Sequence, residues 1–219
     1  MSVSRSTSRS GRVLRRTVVA AAAVAVDTAL SACNPKEAGS AAVVGGYRIT
    51  ETRVQTDAKE VIAGVERLGG QPPASGPLLS ALVSRMVAER LVFDAAVKKG
   101  ISVSQGDIDA LIAKSGGRQT LEAKFLQNAG SWAPPSALDD QARVFLIENA
   151  LAQKLSPNDT TAQAAAVTKY LTDVAAEVGV EIAARYGTWD PTKIALGPVP
   201  DDLSVPAIVV PSASTSPSG

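Results

Sequence analysis

The longest regular pattern of apolar positions in the chain runs through residues 77–99. Apolar side chains recur there at spacings of three and four, which is the period of an α-helix. Ser75 can serve as the N-cap of this helix, and Gly100 ends it. The pattern therefore predicts a helix about 35 Å long, around which the other elements pack. Its apolar face comprises Leu78, Leu79, Leu82, Val83, Met86, Leu91, Val92, Ala95 and Ala96.

The same period indicates helices on both sides of this segment. The segment 136–154 carries apolar residues on two of its faces, so we expect it to contact neighbours on two sides. The predicted helices cover 51–68 after the cap Thr50, two short segments capped by Ser104 and Thr120, 136–154, and the Ala-rich 160–176.

Two short segments at the ends of the core have the character of strands. Residues 41–44 are β-prone and lead into a Gly-Gly turn at 45–46, after which 47–49 can continue the strand. Residues 178–182 alternate apolar and small or polar side chains, the period of a strand. Since an isolated strand leaves its backbone groups unpaired, the two segments should pair. We predict a mainly α fold over 41–196, with a small two-stranded sheet joining the two ends of the core.

The first 32 residues have the layout of a signal peptide, because 1–16 are basic and serine-rich and 18–30 are apolar. The following residues, Leu30, Ser31, Ala32 and Cys33, match the bacterial lipobox, in which the cysteine is acylated and the chain is cleaved before it. Cys33 is also the only cysteine of the chain. We therefore predict a lipoprotein that Cys33 anchors to the extracytoplasmic face of the cell membrane.

Other interpretations of the N-terminal segment stay open at this point. The apolar stretch is compatible with a cleaved signal without lipidation or with a short membrane helix, and the Arg15-Arg16 pair with twin-arginine rather than general export. Residues 33–40 are predicted to be a lipidated tether. Residues 197–219 are rich in Pro and Ser, which is typical of a disordered tail.

Composition removes several classes of function. The chain has no histidine, so Ser-His-Asp and Cys-His catalysis are excluded, and a single cysteine excludes a disulfide within the chain or a Cys-rich metal site. Removing residues 1–32 takes away five arginines and Asp27, so 22 basic and 21 acidic residues become 17 and 20, a net charge of −3. That balance lacks the basic footprint of a nucleic-acid-binding protein. We predict no cofactor, no metal and no nucleic-acid partner.

Several segments, in their order and spacing, resemble the SurA N-terminal domain family of extracytoplasmic chaperones. The segment 42–50 resembles its opening strand and turn, with Gly45 where asparagine is usual, and 82–103 resembles its long helix and exit turn. The segments 104–127 and 138–155 resemble its paired short helices and return helix. Residues 185–190, RYGTWD, are similar to the ending of actinobacterial lipoproteins of this group, although Ala183-Ala184 replace the usual Asn-Pro.

The resemblance implies a chaperone-like domain without enzymatic activity. Many relatives carry a prolyl-isomerase domain before the closing strand, but here only about 25 residues, 156–180, separate the return helix from that strand. A prolyl-isomerase domain needs several times that length, so we predict that the chain is not an enzyme.

The function that follows from these features is binding of polypeptides. We expect a lipid-anchored, ATP-independent chaperone-like protein that holds unfolded or exported polypeptides in an apolar groove between 77–99 and 136–154. The alternative is a scaffolding lipoprotein that binds one dedicated envelope protein, because promiscuous apolar surfaces tend to be rich in Met and this chain has two. The candidate client-binding residues, for each of which core packing is the other interpretation, are Val92, Phe93, Phe125, Trp132, Phe145 and Ile147.

Overall fold

The computed structural model describes residues 39–128, 132–200 and Ile208. The predicted signal peptide, Cys33, most of the tether and most of the tail therefore lie outside the described residues. In chain order the elements are β1 Ser40–Val44, β2 Tyr47–Thr50, α1 Glu51–Arg67, α2 Ser75–Lys99, α3 Gln105–Lys114, α4 Arg118–Gln127, α5 Leu138–Leu155, α6 Gln163–Val178, β3 Val180–Ile182, β4 Trp189–Asp190 and β5 Ala195–Leu196, with short 3₁₀ turns at Pro135–Ala137 and Ala184–Tyr186.

The mainly helical fold is confirmed, and α2 lies at its centre. This helix packs against α1, α5, α6, β1 and β5. Its buried side chains include Leu82, Val83 and Leu91, none of which has any exposed surface. A helix that is apolar over most of its circumference is expected to be buried on several sides. In the described part of the chain, no helix is both long and apolar enough to cross a membrane.

The predicted caps of α1 and α3 and the predicted end of α2 are confirmed. The Thr50 hydroxyl accepts a hydrogen bond from the backbone N–H of Arg53 at 3.2 Å, and Gly100 ends α2 with φ +62°. Two caps differ from the prediction. Ser75 is the first helical residue of α2 instead of its cap, and the cap is Ala74, which makes no side-chain hydrogen bond. Similarly, α4 begins at Arg118 with Gly117 as its N-cap, so Thr120 lies inside the first turn instead of capping the helix.

A capping box begins α3. The Ser104 hydroxyl accepts from the backbone N–H of Asp107 at 3.2 Å, and the Asp107 carboxylate accepts from the backbone N–H of Ser104 at 3.0 Å. We expect Ser104→Ala to lower the free energy of unfolding by about 1 kcal/mol, measured by urea denaturation. Ser102→Ala, at a nearby exposed position outside the helix, should leave it unchanged. Equal effects of the two substitutions would contradict this account.

The sheet joins the two ends of the core, as predicted, and it contains three strands in the order β2-β1-β3, one more than expected. All pairs are antiparallel, and Val43 of β1 lies opposite Arg48 on one side and Glu181 on the other. The additional strand arises because Gly45 and Gly46 both have positive φ, 55° and 86°. They form a tight turn that folds β2 back onto β1 instead of continuing it.

A second, two-stranded sheet was not predicted. It pairs Trp189 with Leu196 and Asp190 with Ala195, and Trp189 packs against the main core. This hairpin depends on Gly187, since a Cβ at that position would lie 2.4 Å from the carbonyl oxygen of Gly197. Ile208 is partly buried and also packs against the core.

Candidate binding surface

One face of α5 points away from the core and carries an exposed aromatic side chain. The helical period places Gln141, Phe145, Glu148, Asn149 and Ala152 on this face, and we call these five residues the α5 strip. Phe145 is 53% exposed, and only three other large hydrophobic side chains are classed as exposed in the described part of the chain. An exposed Phe at the middle of a helix is a typical contact residue for another molecule.

A recess lies at the N-terminal end of the strip, about 410 Å³ in volume. Gln141 forms one wall, and Phe125 of α4, one of the predicted binding residues, forms another. Phe125 is half-buried, and Phe145 lies one helical turn beyond Gln141 on the same face of α5. The fold thus places two predicted residues, Phe125 and Phe145, along one surface. The full lining is Ala81, Ser84, Arg85, Ala88, Phe125, Asn128 and Gln141.

A second recess, about 380 Å³ in volume, lies between α5 and α6 at the other end of the strip. Its lining has a single charged residue, Glu148, whose side chain has neither a hydrogen bond nor an ion pair among the described residues. Burial raises the pKa of Glu148 above its ordinary value of 4.5. The lining comprises Glu148, Asn149, Ala152, Thr160, Gln163, Ala164 and Val167.

The partnerless state of Glu148 predicts a pH-dependent effect on stability. Because the pKa of Glu148 is higher in the folded protein than in the unfolded chain, ionisation of Glu148 destabilises the fold. The contribution of Glu148 to the free energy of unfolding is fully present below its pKa in the unfolded chain, and it is lost as the pH rises through its pKa in the folded protein. Glu148→Gln should therefore raise the melting temperature at pH 7, and the gain should vanish below about pH 4.5. The measurement is thermal unfolding of both proteins between pH 3.5 and pH 8. A gain that stays constant over this range would show that ionisation of Glu148 is not its cause.

Beneath the strip, a network of charged side chains connects α5 to α1 and α2. Arg85 Nη2 donates to Asp57 Oδ2 at 2.6 Å, and Arg53 Nε donates to Asp57 Oδ1 at 2.7 Å. Arg85 Nη1 also donates to Glu89 at 2.5 Å, and the Gln141 amide donates to the same Glu89 oxygen. The network thereby holds the N-terminal part of α5 in a fixed position against α2.

The central members of this network, Asp57, Arg85 and Glu89, are largely buried, whereas the Arg53 side chain is 55% exposed. The Asp57 side chain is 1% exposed, and those of Arg85 and Glu89 are 10% and 14% exposed. Burial raises the pKa of both carboxyl groups, and it outweighs the opposite effect of Arg85. Sequence reasoning missed this network, although Asp57 stands on the apolar stripe of α1 three residues after Val54. A carboxylate at such a position indicates a buried partner.

The predicted groove between the apolar faces of 77–99 and 136–154 is closed in the structure. Val92 is 1% exposed and Ile147 is 4% exposed, and both belong to the main hydrophobic core. The two faces pack directly against each other because α2 and α5 are neighbours. Val92 and Ile147 therefore stabilise the fold and are not accessible to a client.

The remaining two candidate residues lie at separate places. Phe93 lines a recess of about 330 Å³ beside β2, together with Arg53 and Arg90. Trp132 lines another recess of the same volume near the C-terminal end of α1, and Leu126 of α4 also lines it. Neither recess shares a lining residue with those of the α5 strip. The six candidates therefore form no single groove in the described structure.

Two further observations bear on the site, one on metal binding and one on similarity to known proteins. Among the residues that the structure describes, no group of three or more Cys, Asp or Glu side chains is arranged to hold a metal ion. No protein-family model, no curated protein and no solved structure matched the chain.

Proposed function

We propose that the protein is an envelope lipoprotein, anchored through Cys33, whose helical domain binds a polypeptide segment of one dedicated protein partner. The lipobox at 30–33 supports the anchor. The first strand begins at Ser40, seven residues after Cys33, so the domain lies within about 25 Å of the lipidated residue. The absence of histidine from the chain supports binding instead of catalysis.

The observation that carries this proposal is the exposure of Phe145 between two recesses on one helix face. Aromatic side chains at the centre of an interface provide much of the binding energy, and neighbouring pockets give shape to the contact. A holdase for many clients needs a broad, adaptable apolar surface. A strip with a single large apolar side chain suits one defined segment better.

A second candidate function is the ATP-independent chaperone that the resemblance to SurA N-terminal domains implies. The observation in its favour is that Phe93, Phe125 and Trp132 are each only partly buried and line three different surface recesses. Several weak apolar sites would allow one domain to hold differing stretches of an unfolded polypeptide without nucleotide.

Two assays separate these functions. The soluble chain without residues 1–33 is added at equimolar amounts to several refolding clients, and their aggregation is followed by light scattering. In parallel, the tagged full chain is isolated from its own cells together with bound proteins. A dedicated binder should leave aggregation unchanged and should retain one protein at a near-equimolar ratio.

Two variants test whether retention of the partner depends on the α5 strip. Phe145→Ser should abolish the retention, and Leu68→Ser, at a position 43% exposed outside the strip, should preserve it. Suppression of aggregation that Phe93→Asp or Phe125→Asp weakens would instead support the chaperone.

A further inference from the structure

The recess at the C-terminal end of the α5 strip is rich in hydrogen-bond acceptors and lacks a cation. Glu148 is its only charged residue, and the side chains of Asn149 and Gln163 lie in the same lining. The Gln163 amide nitrogen donates to the carbonyl oxygen of Ser156 at 3.2 Å, which leaves the amide oxygen of Gln163 as an acceptor. The recess therefore offers several acceptors to an incoming donor.

Three other buried or partly buried carboxylates of the helical core differ from Glu148 because each has a cationic partner. Asp57 and Glu89 are paired with Arg85, and Asp94 is paired with Arg90. Glu148 is half-buried and has no cationic partner among the described residues. A carboxylate that is partly removed from water gains most from a cation that closes the site over it.

The position of Glu148 relative to Phe145 allows one ligand to contact both. The two residues are three positions apart on α5, so their Cβ atoms lie roughly 5–6 Å apart. We propose that the segment bound by the α5 strip packs an apolar side chain against Phe145 and places a lysine or arginine in the recess against Glu148. This inference rests on the proposed function and names the chemistry of the partner.

The spacing on α5 sets the spacing in the partner. An apolar residue and a cation within one helical turn, or two positions apart on an extended strand, point to the same side at the required separation. Lysine fits the recess well, since its ammonium group donates three hydrogen bonds and the lining offers a carboxylate and two amide oxygens. An acidic side chain would face Glu148 and be repelled.

The test is a selection from a random library of 12-residue peptides displayed on phage, with the full chain immobilised in a nonionic detergent. Peptides retained by the wild type and lost on Phe145→Ser should carry Lys or Arg within four positions of a large apolar residue. Selection on Glu148→Lys should favour Asp or Glu at that place. The best peptide should bind Glu148→Gln about tenfold more weakly. The control Glu181→Gln, an exposed carboxylate on β3, should bind it unchanged.

The possible failures are distinguishable. One failure is that peptides lost on Phe145→Ser show no preference for Lys or Arg, and another is that they keep the same preference on Glu148→Lys. Either result means that the inferred cation opposite Glu148 is wrong, while the proposed binding function stands. If nothing is selected, or if Phe145→Ser retains the same peptides, both the inference and the proposed function fail. If the selected sequences match a segment of this chain, the occupant is a second copy or its own tail, and the inferred separate partner is wrong. Circular dichroism of each variant confirms that it is folded.

Discussion

Asp57→Ala is expected to lower the free energy of unfolding by about 3–5 kcal/mol. The substitution removes the carboxylate that accepts hydrogen bonds from both Arg53 and Arg85. Arg53 is largely exposed and regains water, but the Arg85 side chain is 10% exposed and keeps its charge in the interior. Its Nη1 still donates to Glu89, but Nη2 loses its acceptor and Nε already lacks a partner among the described residues. Equilibrium urea denaturation at pH 7 measures the loss.

A surface ion pair provides the matched control for this prediction. Arg67 contacts Glu122, and the arginine side chain is 60% exposed. Glu122→Ala should cost less than about 1 kcal/mol, because solvent screens such pairs. A loss below about 1 kcal/mol for Asp57→Ala as well would mean that the buried network contributes no more than a surface pair.

Ile147→Ala is expected to cost about 2–5 kcal/mol, because Ile147 is 4% exposed and its removal leaves a cavity between α2 and α5. Phe145→Ala, two residues earlier on the same helix, should change stability by less than about 0.5 kcal/mol, since Phe145 is 53% exposed. Thermal and urea unfolding of the two variants measure the contrast.

The same pair also separates folding from binding. Phe145→Ala should remove the interaction with a partner while the domain stays folded. A large loss of stability on Phe145→Ala, or a small one on Ile147→Ala, would contradict the assignment of these residues to surface and core.

Local features of the fold were predictable because they depend on neighbouring residues. Thr50 and Ser104 cap helices through atoms no more than three positions away. The central position of α2 was visible from the width of its apolar face. The pairing of the two end strands also followed, since both needed a partner and the two ends of the core had to meet, but the second strand begins at Val180 because Val178 still belongs to α6.

Features that depend on distant contacts could not be deduced from the pattern. The segment 136–154 showed apolar residues on two faces, and only the positions of α2 and α3 decide that Ile147 and Ala142 are buried and that Phe145 is exposed. Likewise, the i,i+4 spacing of Arg85 and Glu89 predicts a local pair. That this pair meets Asp57 of α1 and Gln141 of α5 becomes apparent only in three dimensions.

The identity of the anchor and the resemblance to SurA N-terminal domains remain predictions. The lipobox lies outside the described residues. Metabolic labelling of the full chain with a radioactive fatty acid, compared with Cys33→Ser, would test the anchor directly, since only the wild type should become labelled.

The most direct test of the central claim, that the α5 strip binds a polypeptide, is site-specific photo-crosslinking in the cells that produce the protein. A photoreactive phenylalanine analogue is placed at position 145 of the full chain, and at position 68 as an exposed control outside the strip. If the strip binds a polypeptide, an adduct of defined mass forms from position 145 and is absent from position 68. The absence of any adduct at 145, or the same adducts from both positions, would contradict this claim.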